Sequence, residues 1–274
     1  MDNLNWRAFP EKNPIRLWER TPGFDADIAQ DEPTITPYLL EGPGRGCVIV
    51  FPGGGYWVKA GHEAEPIAKA INELGCSAFV LDYRVQPYRA PHPLMDAQRA
   101  VRYVRAHAQE YGINPDRIAV LGFSAGGHLA ASAGVFWDEG DAQAADPVER
   151  LSCRPDAMVL CYPVIDMSGV LRHTGSARNL LGELAEDADA CSKASPQLHV
   201  TDRTPPAFLW HTADDEGVDC RNSELMFRAL REHGVAAELH VFAHGIHGLG
   251  LAPMNGHVGS WLHLLKGFLI ELGF

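Results

Sequence analysis

The stretch Gly122-Phe123-Ser124-Ala125-Gly126 sets one hydroxyl between two glycines. Arg117-Ile118-Ala119-Val120-Leu121 before it is a short apolar run rich in β-formers, and Gly127-His128-Leu129-Ala130-Ala131-Ser132-Ala133 after it is small and helix-compatible. Strand, sharp turn and helix in that order are the setting of a nucleophile elbow, where a serine hydroxyl is pushed out above a sheet. Gly122 and Gly126 belong there because a side chain would strike the neighbouring backbone in so tight a turn. A serine hydroxyl is a poor nucleophile at neutral pH. It needs a base, a group that orients the base, and donors for the oxyanion that forms when it attacks a carbonyl.

The rest of the chain offers each of these in the order serine, acid, histidine. Phe208-Leu209-Trp210-His211 reads as a strand, and the turn after it carries Asp214 and Asp215 side by side. Only one of two successive side chains in such a turn reaches a given histidine, and the residues alone leave both in play. The strand Ala237–Phe242 is followed by Ala243-His244-Gly245-Ile246-His247-Gly248, a glycine-rich loop suited to the base. Of its two histidines, His247 is taken over His244. Among 13 histidines a lone one means little, and His128 and His211 are read as packed or hydrogen-bonded rather than as bases. Oxyanion donors are expected from Ala125 and from the loop Phe51-Pro52-Gly53-Gly54-Gly55-Tyr56-Trp57, with Gly54 and Gly55 the chosen amides. That loop lacks the lysine and Ser/Thr of a phosphate loop and the G-x-G-x-x-G spacing. Tyr56 and Trp57 are expected to wall the acyl or leaving-group pocket. No H-E-x-x-H and no Cys/His set with zinc spacing is present, so neither metal nor cofactor is expected.

Positioning these groups requires alternating strands and helices. Strands are expected over Ile15–Trp18, Thr34–Leu40, Cys47–Phe51, Ser77–Leu81, Ile118–Phe123, Ala157–Tyr162, Ala207–His211 and Ala237–Phe242. Helices are expected over Glu63–Leu74, Pro93–Tyr111, the elbow helix, Cys220–His233 and His257–Leu272. The pattern predicts an α/β fold: one domain over residues 1–274, with about eight strands in a mostly parallel sheet covered by helices on both faces. The first two strands are expected to be antiparallel. From Asp166 to Thr204 the rhythm breaks, with short helices over Ser176–Leu184 and Glu186–Lys193. Such an insertion leaves the sheet at the end where Ser124 emerges and is read as a small cap.

The net charge of −12 disfavours nucleic acid and anionic membrane surfaces as partners, because both attract basic patches. Six cysteines without a C-x-x-C pair read as reduced thiols. Met1-Asp2-Asn3-Leu4-Asn5-Trp6 lacks a basic segment followed by an apolar one, and a cytoplasmic location is expected.

Pro52-Gly53-Gly54-Gly55-Tyr56, Asp82-Tyr83-Arg84-Val85, Pro91-His92-Pro93-Leu94, Gly122–His128, His211–Val218 and the Gly245–Gly248 loop occur together in this chain. In that combination it resembles bacterial α/β-hydrolases of the acetyl xylan esterase type over residues 40–272. The resemblance implies Ser124 as nucleophile, His247 as base and Asp215 as the acid, since the family's H-x-x-x-D-x-x-V pattern falls on His211, Asp215 and Val218. It also implies a serine carboxylesterase acting on small acyl groups, above all acetyl esters of carbohydrates, with an acetylated oligosaccharide as the small-molecule partner. A xylanase label does not follow, because glycoside cleavage needs two carboxylates placed across a sugar. One departure stands out. Many relatives carry histidine before the three glycines, where it helps hold the oxyanion loop; this chain has Pro52.

Overall fold

A computed structural model describes residues 13–274; the segment Met1–Trp6 lies outside the described residues. Eight strands, β1 (Ile15–Arg16), β2 (Thr34–Tyr38), β3 (Arg45–Phe51), β4 (Ser77–Asp82), β5 (Ile113–Phe123), β6 (Ala157–Cys161), β7 (Ala207–Thr212) and β8 (Ala237–Phe242), form one sheet. Their spatial order is β1-β2-β4-β3-β5-β6-β7-β8. β2 runs antiparallel to both β1 and β4, and every later pair is parallel. The apolar runs of β3, β6, β7 and the Ile118–Phe123 half of β5 are nearly continuous because these stretches are covered on both faces.

The helices are α1 (Glu65–Leu74), α2 (His92–Ala106), α3 (Ala125–Val135), α4 (Thr174–Leu181), α5 (Ala188–Lys193), α6 (Arg221–Glu232), α7 (Gly256–Gly259) and α8 (Trp261–Glu271). Apolar faces of α2, α3 and α6 join one core, with residues such as Val101, Leu129 and Met226. Those of α1 and α8 fill the other face, with Ile67, Ile71, Trp261 and Leu265.

Several boundaries differ from the sequence expectation for local reasons. α2 stops at Ala106, where the His107 ring bonds back to the Tyr103 carbonyl, and the chain turns through Gly112 at φ 65°. The closing helix breaks at Ser260, whose hydroxyl bonds the His257 carbonyl. β5 starts five residues early because Ile113 pairs with Arg45 before the register shifts to Cys47 and Ile118. β1 is only two residues long, and β6 ends at Cys161 because Tyr162 takes φ 35°. The 166–204 segment holds α4 and α5 joined by short 3-10 turns, and no strand. All six cysteines are free thiols. Among the described residues no helix is long and apolar enough to cross a membrane.

Candidate active site

The parallel strands end on one side of the sheet, and the expected site residues lie at those ends. Ser124 follows β5 with φ 52° and ψ −117°. Positive φ is costly for a residue with a Cβ, and the surroundings must impose it. A Cβ on Gly122 would stand 2.0 Å from the Gly126 carbonyl oxygen, and one on Gly126 would stand 2.1 Å from that of Phe51. The Ser124 amide donates to the Cys161 carbonyl at 3.0 Å, which ties the corner to the end of β6.

Ser124 Oγ lies 2.8 Å from His247 Nε2, and His247 Nδ1 lies 2.7 Å from Asp215 Oδ2. Three side chains from the ends of β5, β7 and β8 thus form one line of hydrogen bonds. The second Asp215 oxygen accepts the Gly217 and Val218 amides at 2.8 and 2.9 Å. Burial opposes the charged form of Asp215. Hydrogen bonding to His211 and His247 and from the Val218 amide outweighs it and holds the carboxyl well below the usual range. With Asp215 ionised, His247 Nδ1 donates to it, which leaves Nε2 to accept from the serine hydroxyl. The other acid and histidine pair with each other instead. His244 Nδ1 sits 3.0 Å from Asp214 Oδ2 on the exposed surface, and Asp214 Oδ1 takes the Gly245 amide.

The glycine loop after β3 stands against Ser124: a Cβ on Gly53 would lie 3.1 Å from that of Ser124. Gly54 and Gly55 take φ 132° and 65°, and among the described residues neither amide donates to a protein acceptor. A Cβ on Gly54 would stand 2.1 Å from the Val58 carbonyl oxygen, so only glycine fits. Ala125 opens α3, where amide N–H groups lack partners within the helix. Tyr56 is buried, with its hydroxyl 2.7 Å from His128 Nδ1, and Trp57 is 56% exposed at the rim. Tyr56 also lines an apolar cavity of about 290 Å³ between α2, α3, α4 and α5. His128 Nε2 meets the Ala194 carbonyl at 2.7 Å, and burial pushes this histidine down to about 4. His211 meets Ser223 and the Val218 carbonyl.

The family BD-FAE matches residues 40–230. The chain belongs to the BD-FAE family. The acetyl ester-xyloside bifunctional hydrolase from Caldicellulosiruptor lactoaceticus superposes with a TM-score of 0.93 at 49% identity, over 97% of this chain and 98% of that one. The acetylxylan esterase of Xylanibacter ruminicola is 31% identical over 86% of this chain and 46% of its own length. The endo-1,4-beta-xylanase B of Butyrivibrio fibrisolvens is 38% identical over 76% of this chain and 33% of its own. This chain therefore spans a third to a half of those two curated relatives. Its fold is that of an α/β-hydrolase.

Several contacts that brace this BD-FAE site join residues far apart in the sequence. Pro52, ahead of the three glycines, has its carbonyl held by the Tyr83 hydroxyl at 2.6 Å. The Gln86 amide holds the Tyr56 carbonyl, and Asn179 of α4 holds that of Gly55 at 2.8 Å. Glu63 accepts the Gly53 amide at 2.8 Å. Behind Tyr83, the buried Arg84 and Asp96 form a bidentate pair at 2.6 to 3.1 Å. These contacts make the Asp82-Tyr83-Arg84-Val85 segment the back wall of the glycine loop. The 166–204 segment reaches the site through Asn179 and through His173, which burial and then the nearby His247 hold below the usual histidine range. An open cleft of about 390 Å³, lined by Arg172, His173, Glu216 and Gly217 among others, adjoins the acid loop.

Proposed function

We propose that this BD-FAE chain is a serine carboxylesterase that hydrolyses short acyl esters, with acetyl esters of carbohydrates such as xylo-oligosaccharides as its substrates. The observation that carries the reading is the unbroken line Ser124–His247–Asp215, with spacings of 2.8 and 2.7 Å. Ser124 Oγ attacks the ester carbonyl as His247 Nε2 takes its proton. Asp215 holds the ring in the tautomer that can do so and stabilises the cation that forms. The Gly54, Gly55 and Ala125 amides receive the oxyanion. His247 then gives its proton to the leaving alcohol, and a water activated by the same nitrogen releases the acid. Tyr56 and Trp57 flank the acyl or alcohol side, and the 166–204 segment forms a small cap over it.

Carbohydrate specificity is supported by the names of two relatives, an acetyl ester-xyloside bifunctional hydrolase and an acetylxylan esterase. The polar cleft beside His173 and Glu216 also suits a hydroxyl-rich alcohol. The xyloside activity named for one relative is not carried over. The test compares acetate, butyrate and octanoate p-nitrophenyl esters with acetylated xylo-oligosaccharides and a matched amide. Release of acetate from the oligosaccharides, lost in Ser124→Ala, is expected. Activity confined to the aryl esters would remove the sugar from the reading, and faster amide cleavage would remove the ester.

A further inference from the structure

The loop that carries His247 and the loop that offers the oxyanion amides come from opposite parts of the chain, yet one buried carboxylate bonds the second directly and is joined to the first through a tyrosine hydroxyl. Glu63 lies in the short turn Gly61–Glu63 ahead of α1 and is 2% exposed. Its Oε2 accepts the Gly53 amide at 2.8 Å. Its Oε1 accepts the Tyr162 hydroxyl at 2.6 Å. That hydroxyl in turn accepts the Gly250 amide at 2.8 Å, three residues past His247. The hydroxyl accepts from Gly250 and donates to Glu63, so both Glu63 oxygens act as acceptors. The Gly250 carbonyl is held as well, by Trp261 Nε1 at 3.1 Å. The neighbouring His62 ring reaches the Gly248 carbonyl at 2.8 Å.

Tyr162 follows β6 as Ser124 follows β5, and it too is held at positive φ, 35°. Its ring packs edge-on to the His247 ring, with centroids 5.1 Å apart, and against Trp210 at 4.9 Å. A β-region conformation would carry this side chain away from both partners. The strain is offset by what the residue joins. Burying a carboxylate is costly unless it is hydrogen-bonded, and here each oxygen meets a donor from a different loop.

We propose that Glu63 is a positioning residue for the reaction: through the Gly53 amide and the Tyr162 hydroxyl it fixes the distance between the oxyanion loop and the His247 loop. The proposal rests on the serine esterase reading above. Beside Glu63, the Tyr83 hydroxyl holds the Pro52 carbonyl at 2.6 Å, so the glycine loop is gripped at two successive residues.

The experiment compares Glu63→Gln, Glu63→Ala, Tyr162→Phe and the double variant Glu63→Gln/Tyr162→Phe with the unaltered protein. Hydrolysis of p-nitrophenyl acetate gives kcat and KM separately. Inhibition by phenylboronic acid, which forms a tetrahedral adduct on a catalytic serine, reads the alignment of nucleophile and oxyanion loop. A misplacement of about 1 Å costs roughly 100-fold in rate, so kcat should fall by about 10- to 100-fold in Glu63→Gln and Tyr162→Phe. KM should stay near its original value, and boronate affinity should fall in parallel with kcat. Glu63→Gln keeps an acceptor for Gly53 and should retain more activity than Glu63→Ala. The double variant should be no worse than the poorer single one, because both changes cut the same link. If Glu63→Ala fails to fold, the other three variants decide the question. Unchanged kcat in Glu63→Gln and Tyr162→Phe would overturn the proposal, as would losses that multiply in the double variant or losses seen in KM alone. An unaltered protein that hydrolyses no ester would overturn the esterase reading instead.

Discussion

Lowering the pH from 7 to 5 should weaken the fold through one side chain, His128. The ring sits on α3 one turn past Ser124, fully enclosed, between the Tyr56 hydroxyl and the Ala194 carbonyl. The neutral ring donates to the carbonyl from Nε2 and accepts from the hydroxyl at Nδ1. Burial lowers its pKa from 6.5 to about 4. Between those values the unfolded chain binds a proton that the folded chain refuses, and each pH unit costs about 1.4 kcal/mol of stability. The contribution is whole above pH 6.5 and is lost as the pH falls toward 4. Integrated from pH 7 to 5, the loss is about 2 kcal/mol. Urea unfolding of the unaltered protein and of His128→Gln at both pH values measures it. Glutamine does not titrate, and the remaining groups titrate in both proteins, so their effects cancel in the difference. The unaltered protein should lose about 2 kcal/mol more than the variant over this interval. Equal losses would refute the reasoning, whatever the variant's stability at pH 7.

Two substitutions sort the acids. Asp215→Asn keeps an oxygen for the Gly217 and Val218 amides but turns an NH₂ toward His247 Nδ1. The ring must then hold its proton on Nε2 and cannot take that of Ser124, so kcat should fall about 10⁴-fold with the protein still folded. Asp214→Asn touches only the exposed His244 and the Gly245 amide, and esterase assays should find its kcat near that of the unaltered protein. Asp96→Asn strips the fully buried Arg84 guanidinium of its counter-charge, which should cost about 3–5 kcal/mol in a denaturant titration.

Much of the scaffold could be read from the chain because its signals are local. The strands β3, β6 and β7 and the Ile118–Phe123 half of β5 are nearly unbroken apolar runs, and the elbow glycines are dictated by carbonyls within four residues or on the adjacent strand. The order of Ser124, Asp215 and His247 likewise follows the order of the strand ends. What could not be read depends on residues distant in sequence. Glu63 meets Tyr162 across 99 positions, and Asn179 meets Gly55 across 124, with no period or spacing to announce either. His62-Glu63-Ala64-Glu65 looks like an ordinary acidic helix start. Tyr162 looks like the last residue of a strand, and its positive φ has no glycine to mark it. The division of Asp214 and Asp215 between surface and site turned on how one short turn directs two adjacent side chains, which residue type does not encode.

The central claim is that Ser124, activated by His247, is the nucleophile. The direct measurement is mass spectrometry of the protein after reaction with diethyl p-nitrophenyl phosphate, which phosphorylates an activated serine and leaves it blocked. The account predicts one diethylphosphoryl group, found on the peptide that carries Ser124, with complete loss of ester hydrolysis. Ser124→Ala should take up none, and His247→Ala should react far more slowly. A label on any other residue, or ester hydrolysis that persists in Ser124→Ala, would contradict it.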